Sequence, residues 1–206
     1  MKDGNLLLVG AGGHTKSCID VIEQEGKFNI VGLTGLPSEL GTKVLDYDVI
    51  GTDADLPNLR TFAKFALVTV GQIGVSKLRS ELYSQLLSLD FSCPSVISPH
   101  AYISPHARIG SGTFVMHFAV INAGARVGEN CIVNSRALIE HDVTVDDHCH
   151  ISTGAILNGG SSVGSGSFVG SGSIVRESIK IGRNSLLGMG STAFSDLPEN
   201  SRGSQG

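Results

Sequence analysis

His141 stands between two acids, in Glu140-His141-Asp142. Imidazole titrates near neutral pH and can take the proton of an attacking amine or hydroxyl, while a neighbouring carboxylate, Asp142 or less favourably Glu140, holds the second ring nitrogen and fixes the tautomer. From the residues alone, a solvated charged turn explains this trio as well as a catalytic base does. A second histidine, His150, lies in His148-Cys149-His150-Ile151, with His148 read as a surface residue. Near the start, Gly10-Ala11-Gly12-Gly13-His14 follows an apolar run and opens a helical segment. The free N–H groups of a helix N-terminus attract phosphate or carboxylate. A tight turn accounts for these glycines but not for His14. As a dinucleotide fingerprint the loop fails: Thr15 replaces the third glycine and no acid follows the next strand to hold a ribose, so NAD is not expected.

Two kinds of element must position these residues. Residues 5–9 (NLLLV), 29–33 and 65–70 read as strands, and the segment after His14 reads as a helix that stops at Gly26. Residues 76–89 place Leu78, Leu82, Tyr83 and Leu86 on one helical face, and residues 91–94 read as an exit linker. Strands alternating with helices imply a small parallel sheet, half of a doubly wound fold. From Ile97 onward the pattern changes. Stepping by six from Ile97 to Leu187, every position is Ile, Val or Leu. A second series two residues earlier, from Ala101 to Ser185, is mostly Ala, Ser, Thr or Cys. Neither a 3.6 nor a 2-residue period explains a strict period of six. A parallel β-helix does, each hexapeptide forming one side of a triangular coil with three sides per turn. Gly110, Gly128, Gly164, Gly170, Gly182 and Gly188 follow their aliphatic residues and would relieve close backbone approach.

With 27 Gly, no Trp and 5% aromatics, the core is layered aliphatics rather than large rings. A net charge of −4 offers no footprint for nucleic acid, and no apolar run approaches the roughly 20 residues that span a bilayer. The chain reads as soluble and cytoplasmic. Cys18, Cys93, Cys131 and Cys149 show no metal spacing and read as small buried hydrophobes.

The hexapeptide series, together with GAGGH and residues 121–157 (INAGARVGENCIVNSRALIEHDVTVDDHCHISTGAIL), resembles the bacterial sialic acid O-acetyltransferases and nucleotide-linked 4-amino-sugar N-acetyltransferases over nearly the whole chain. The resemblance implies a small Rossmann-like sugar-binding domain (residues 1–94) and a left-handed parallel β-helix of hexapeptide repeats (residues 95–206) that binds acetyl-CoA and forms a homotrimer. It implies His141 as catalytic base with Asp142 behind it. His150, Gly159, Ser171 and Met189 would meet acetyl-CoA, in a groove left by small corner residues. Gly12, Gly13, His14, Thr34 and Gly71 would meet the sugar. Three departures stand out. Where such enzymes follow the second strand with an Asp pair, this chain reads Leu33-Thr34-Gly35-Leu36, and it reads Gly71-Gln72-Ile73 in place of Gly-Asp-Asn. A closing Gly-x-Pro-Ala is absent from residues 200–206, which reads as an altered or shortened C-terminus.

The activity implied is N-acetylation of a nucleotide-linked 4-amino-4,6-dideoxy sugar in bacterial surface glycan synthesis, by direct attack on the thioester and without a bound metal. O-acetylation of a sialic-acid-like sugar is the alternative within the family. From other classes, a zinc-dependent β-helix hydratase could draw on His117, His141, His148 and His150, but the His-x4-His spacing is missing and the N-terminal domain would have no purpose. A non-catalytic trimeric scaffold would not need Ile139-Glu140-His141-Asp142.

Overall fold

The computed structural model describes residues 2–203; residues 204–206, part of the segment expected to close the chain differently, lie outside the described residues. The chain opens with β1 (Gly4–Val9), α1 (Gly13–Glu25), β2 (Phe28–Thr34), β3 (Lys43–Val44), β4 (Tyr47–Gly51), α2 (Leu56–Leu59), β5 (Phe65–Val68) and α3 (Leu78–Ser88). The sheet order is β3-β4-β2-β1-β5, parallel throughout except for the β3–β4 hairpin. The unbroken apolar run of β1 suits a strand covered on both faces. Leu6 and Leu8 pack with Cys18, Ile19 and Ile22 of α1, and Leu7 and Val9 pack with Leu82, Tyr83 and Leu86 of α3.

Two sequence expectations need correction here. Leu78 is exposed and Arg79 is buried in its place, because the guanidinium satisfies main-chain carbonyls at the end of β5. Residues 91–94 are no free linker: Phe91 and Cys93 are buried, and Ser92 bridges to Phe65 as an added rung beside β5.

From Val96–Ile97 to Arg202–Gly203 the chain is a left-handed β-helix of two-residue strands, each paired in parallel with the strand 18 residues away where it has a neighbour of that spacing, as Ile132 and Val133 are with Phe114 and Val115. The strands form three faces. One, containing Phe114–Val115, Ile132–Val133 and His150–Ile151, carries the N-terminal sheet and is called the docked face: Val96, Phe114 and Met116 share a buried cluster with α1. A second, containing Val120–Ile121, Leu138–Ile139 and Ile156–Leu157, turns apolar side chains outward and is the apolar face. The third turns Arg108, Arg126, Thr144, Ser162 and Lys180 outward and is the polar face. The aliphatic six-step column fills the interior with Cys131 and Cys149 stacked within it. A Cβ on Gly110 would lie 2.6 Å from the Gly128 carbonyl carbon, so the repeat excludes a side chain there. Among the described residues no helix is long and apolar enough to cross a membrane.

Candidate active site

His141 lies at the corner between the apolar and polar faces, after strand Leu138–Ile139. Its Nδ1 is 3.0 Å from Asp142 Oδ2, and both side chains are largely exposed. Asp142 adopts the left-handed region (φ 61°), which folds its carboxylate back toward the ring. Glu140 is taken up elsewhere: its Oε2 accepts from Asn122 Nδ2 at 2.9 Å. Of the two acids the sequence offered, the geometry therefore selects Asp142. The carboxylate accepts from Nδ1–H, so Nε2 carries the lone pair. That nitrogen sits directly over Gly159 in the next coil, where a Cβ would approach it to 2.5 Å.

A second group gathers where the N-terminal sheet changes direction. The chain leaves β1 toward β2 on one side and returns to β5 on the other, and the crevice between such strands is where open α/β sheets bind ligands. Gly12 and Gly13 present exposed backbone at the head of α1. His14 follows, its Nε2 buried without a partner, and a Cβ on Gly71 would lie 3.1 Å from His14 Cβ. Burial, reinforced by the nearby Arg79 charge and His150, pushes His14 down to about 4. Thr34 ends β2 fully buried, its hydroxyl donating to Asp53 Oδ1 at 3.0 Å, so its side chain secures the strand end.

His150 is only 6% exposed. Its Nδ1–H donates to the Gln72 carbonyl at 2.7 Å, and its Nε2 accepts from Asn134 Nδ2 at 3.1 Å. Burial pushes it down to about 4, so the ring is neutral. Ser171 and the exposed Met189 lie at the corner between the docked and apolar faces, lining a pocket of about 420 Å³ with Ile73, Val75, Phe168 and Leu186.

The histidines considered for a metal stand apart. His117 pairs with Asp20 (2.7 Å) and Ser98 (2.6 Å) at the docked–apolar corner, and His148 accepts from Asn130 (3.0 Å) at the polar–docked corner, half-buried rather than on the surface as expected. His14, Gly71 and His150 come together, whereas His141 and Gly159 occupy the corner opposite the docked face. One chain thus holds the two groups on different sides of its prism.

The PglD N-terminal domain family matches residues 5–86, the bacterial transferase hexapeptide family residues 106–141, and the hexapeptide repeat of succinyl-transferase residues 161–192. No curated protein matches the sequence. Among solved structures, a variant of perosamine N-acetyltransferase from Caulobacter crescentus, in complex with CoA and GDP-perosamine, is 31% identical with a TM-score of 0.90, over 97% of this chain and 93% of that one. The acetyltransferase domain of PglB from Neisseria gonorrhoeae, in complex with acetyl coenzyme A, is 31% identical with a TM-score of 0.87, over 97% and 96%. This chain belongs to the nucleotide-sugar acetyltransferase family. WeeI from Acinetobacter baumannii, 18% identical over 96% and 95% with a TM-score of 0.68, shares the fold. For a nucleotide-sugar acetyltransferase, the sequence left without a role two buried polar residues, Gln72 and Arg79, and the half-buried Asn134. Arg79 was hidden by the leucine pattern of α3, and Gln72 and Asn134 carry no periodic signal of their own.

Proposed function

We infer that this chain is an acetyl-CoA-dependent enzyme that N-acetylates a nucleotide-linked amino sugar, of the 4-amino-4,6-dideoxy class, in cytoplasmic precursor synthesis for surface glycans. The observation that carries the chemistry is the His141–Asp142 pair, with Nδ1 held at 3.0 Å and Nε2 turned over Gly159. Nε2 takes the proton of the acceptor amine as nitrogen attacks the thioester carbonyl. The new C–N bond forms, the C–S bond breaks, and the imidazolium returns its proton to the departing thiolate. An amine attacks without a covalent enzyme intermediate.

Residues 1–94 hold the acceptor through Gly12, Gly13, His14 and Gly71, with Thr34 securing the pocket wall. Residues 95–206 hold acetyl-CoA along Gly159, Ser171 and Met189. Assembly as a homotrimer joins the half-sites. The outward column Tyr102, Val120, Leu138, Ile156 and Ile174 makes one face apolar and uncovered, while the docked face is occupied by the chain's own sheet and the polar face carries Arg and Lys. Closing three apolar faces around one axis brings the His141 corner of each copy to the Ser171–Met189 corner of the next. Purified enzyme offered GDP- and UDP-linked 4-amino-4,6-dideoxy sugars and free nonulosonic acids, with thiol release as readout, tests the substrate class. His141→Ala should keep the trimer and lose roughly 10²–10⁴-fold in turnover. The residual rate should climb with pH for an amine acceptor and stay near zero for a hydroxyl. Near-wild-type turnover in a folded His141→Ala trimer refutes the mechanism.

A further inference from the structure

Along the corner between the docked and apolar faces, the chain turns through the left-handed backbone region once per coil: at Phe118 (φ 60°), Arg136 (φ 60°), Gly154 (φ 66°), Gly172 (φ 64°) and Gly190 (φ 66°). Glycine takes this conformation freely, whereas a side chain is strained there. Phe118 has a use within its own chain, since its ring stacks on His100 with centroids 5.7 Å apart. Arg136 has none. Among the described residues its exposed side chain meets no carboxylate. A cation held in a strained turn without a partner in its own chain points to a partner outside it.

The next corner round the prism offers the complement. Asp142 holds the matching left-handed position between the apolar and polar faces. Its Oδ2 is engaged by His141 Nδ1, while Oδ1 lies over Gly124 and receives no donor among the described residues. Closing three apolar faces around one axis takes this oxygen out of water, and a carboxylate oxygen so placed needs a donor. The same closure sets the corner against the docked–apolar corner of the next copy, where Arg136 is the only Lys or Arg. Arg136 and Asp142 are one side of the triangle apart. With coils spaced about 4.8 Å, their heights along the axis differ by only about 1.6 Å, and rotation about a parallel axis preserves height.

We propose that Arg136 is a positioning residue supplied in trans: its guanidinium donates to Oδ1 of the partner's Asp142 and braces the carboxylate that orients the partner's His141. The proposal rests on the homotrimer and on His141 as its base. The test uses full-length protein, at a concentration where sedimentation shows each variant trimeric, with the GDP- or UDP-linked 4-amino sugar that wild type acetylates fastest. Arg136→Gly removes the guanidinium and relieves the turn, so folding is not put at risk. It should lower kcat roughly 10-fold, the worth of one charge-assisted hydrogen bond, and leave both KM values unchanged. Arg136→Lys, a single-point donor, should recover part of that loss. Mixed trimers separate the chains. Reassembling Arg136→Gly with His141→Ala copies rebuilds complete sites at about a quarter of the interfaces, and turnover should reach roughly five times the mean of the two parents. A guanidinium acting within its own chain gives that mean and no more. Mixed trimers at the parental mean, or wild-type kcat in Arg136→Gly, overturn the proposal. If wild type transfers acetyl as a monomer, the trimer reading falls and the pairing with it. A trimeric wild type beside an unimpaired Arg136→Gly removes the pairing alone.

Discussion

Gly159→Ala isolates the placement of the proposed catalytic imidazole, His141, from its chemistry. Residue 159 needs no left-handed backbone, so alanine is acceptable to the main chain, and the consequence falls on the neighbouring side chain. The added Cβ would lie 2.5 Å from His141 Nε2 and 2.7 Å from Cε1. Ordinary contact is about 3.5 Å, so the ring must move by about 1 Å. His141 is 66% exposed and can swing outward, so the fold should lose less than about 1 kcal/mol and Tm should stay close to wild type. A displacement of that size in a reacting group costs about 10²-fold in rate. Thiol-release kinetics should therefore show kcat down by about that factor with the acceptor KM nearly unchanged. The decisive measurement is the double variant. If Gly159→Ala acts through the imidazole, adding it to His141→Ala should cost nothing further in kcat, whatever the added methyl does to the acetyl-CoA KM. Full additivity, or wild-type kcat in the single variant, refutes the geometry in which the coil at Gly159 seats the base.

Asp142→Asn should lower kcat by less than His141→Ala, because it leaves the imidazole in place but removes the carboxylate that holds Nδ1 at 3.0 Å; an equal or larger loss would make Asp142 more than a support. Leu138→Asp, at the middle of the outward apolar column, should give a monomer by sedimentation and abolish transfer while the β-helix stays folded; an active trimer would place the interface elsewhere. Acid should loosen the seam between sheet and β-helix. His14 and His150 are both held near 4, below the usual value near 6.5, so the unfolded chain binds more protons across that interval. Their contribution is complete above pH 6.5 and lost as pH falls toward 4, so urea midpoints should drop between pH 7 and 4.5, and by less in His150→Phe. A flat profile in wild type would contradict the burial of these two rings.

Much of the β-helix was legible because its code is local and periodic. Eighteen residues per coil puts Val133 beside Val115 and Ile151, and it likewise puts Gly159 one coil above His141, so the bare shelf under the imidazole was readable by addition. The N-terminal sheet was less legible. The unbroken NLLLV run announces a doubly covered strand, but the β3–β4 hairpin is held by register and turn geometry, which a short irregular sequence does not display. In α3 the leucine pattern pointed to Leu78, whereas the inward position went to Arg79, because the carbonyls of Val68 and Val70 end β5 facing that helix. Hydrogen-bond demand from the end of the preceding strand leaves no mark on hydrophobic periodicity.

The same periodicity governs the outside of the coil and bears on how the site is completed. Side chains just before each inward aliphatic residue point outward, and every third one shares a face. Counting by eighteen separates Tyr102, Val120, Leu138, Ile156 and Ile174 from Arg108, Arg126, Thr144, Ser162 and Lys180, so residue types alone distinguish an apolar face from a polar one. What that count cannot reveal is which face the N-terminal sheet occupies, since this depends on Val96, Phe114 and Met116 joining the α1 cluster across more than 70 residues of chain. With the sheet seated on the docked face, the remaining apolar face is the one the proposed trimer would cover. In that proposed trimer His141, at the edge of the apolar face, would stand beside a neighbour's cofactor groove rather than its own acceptor loop. If the proposed sites are right, their separation within one chain makes assembly a requirement for transfer, and activity should depend on protein concentration wherever the trimer dissociates.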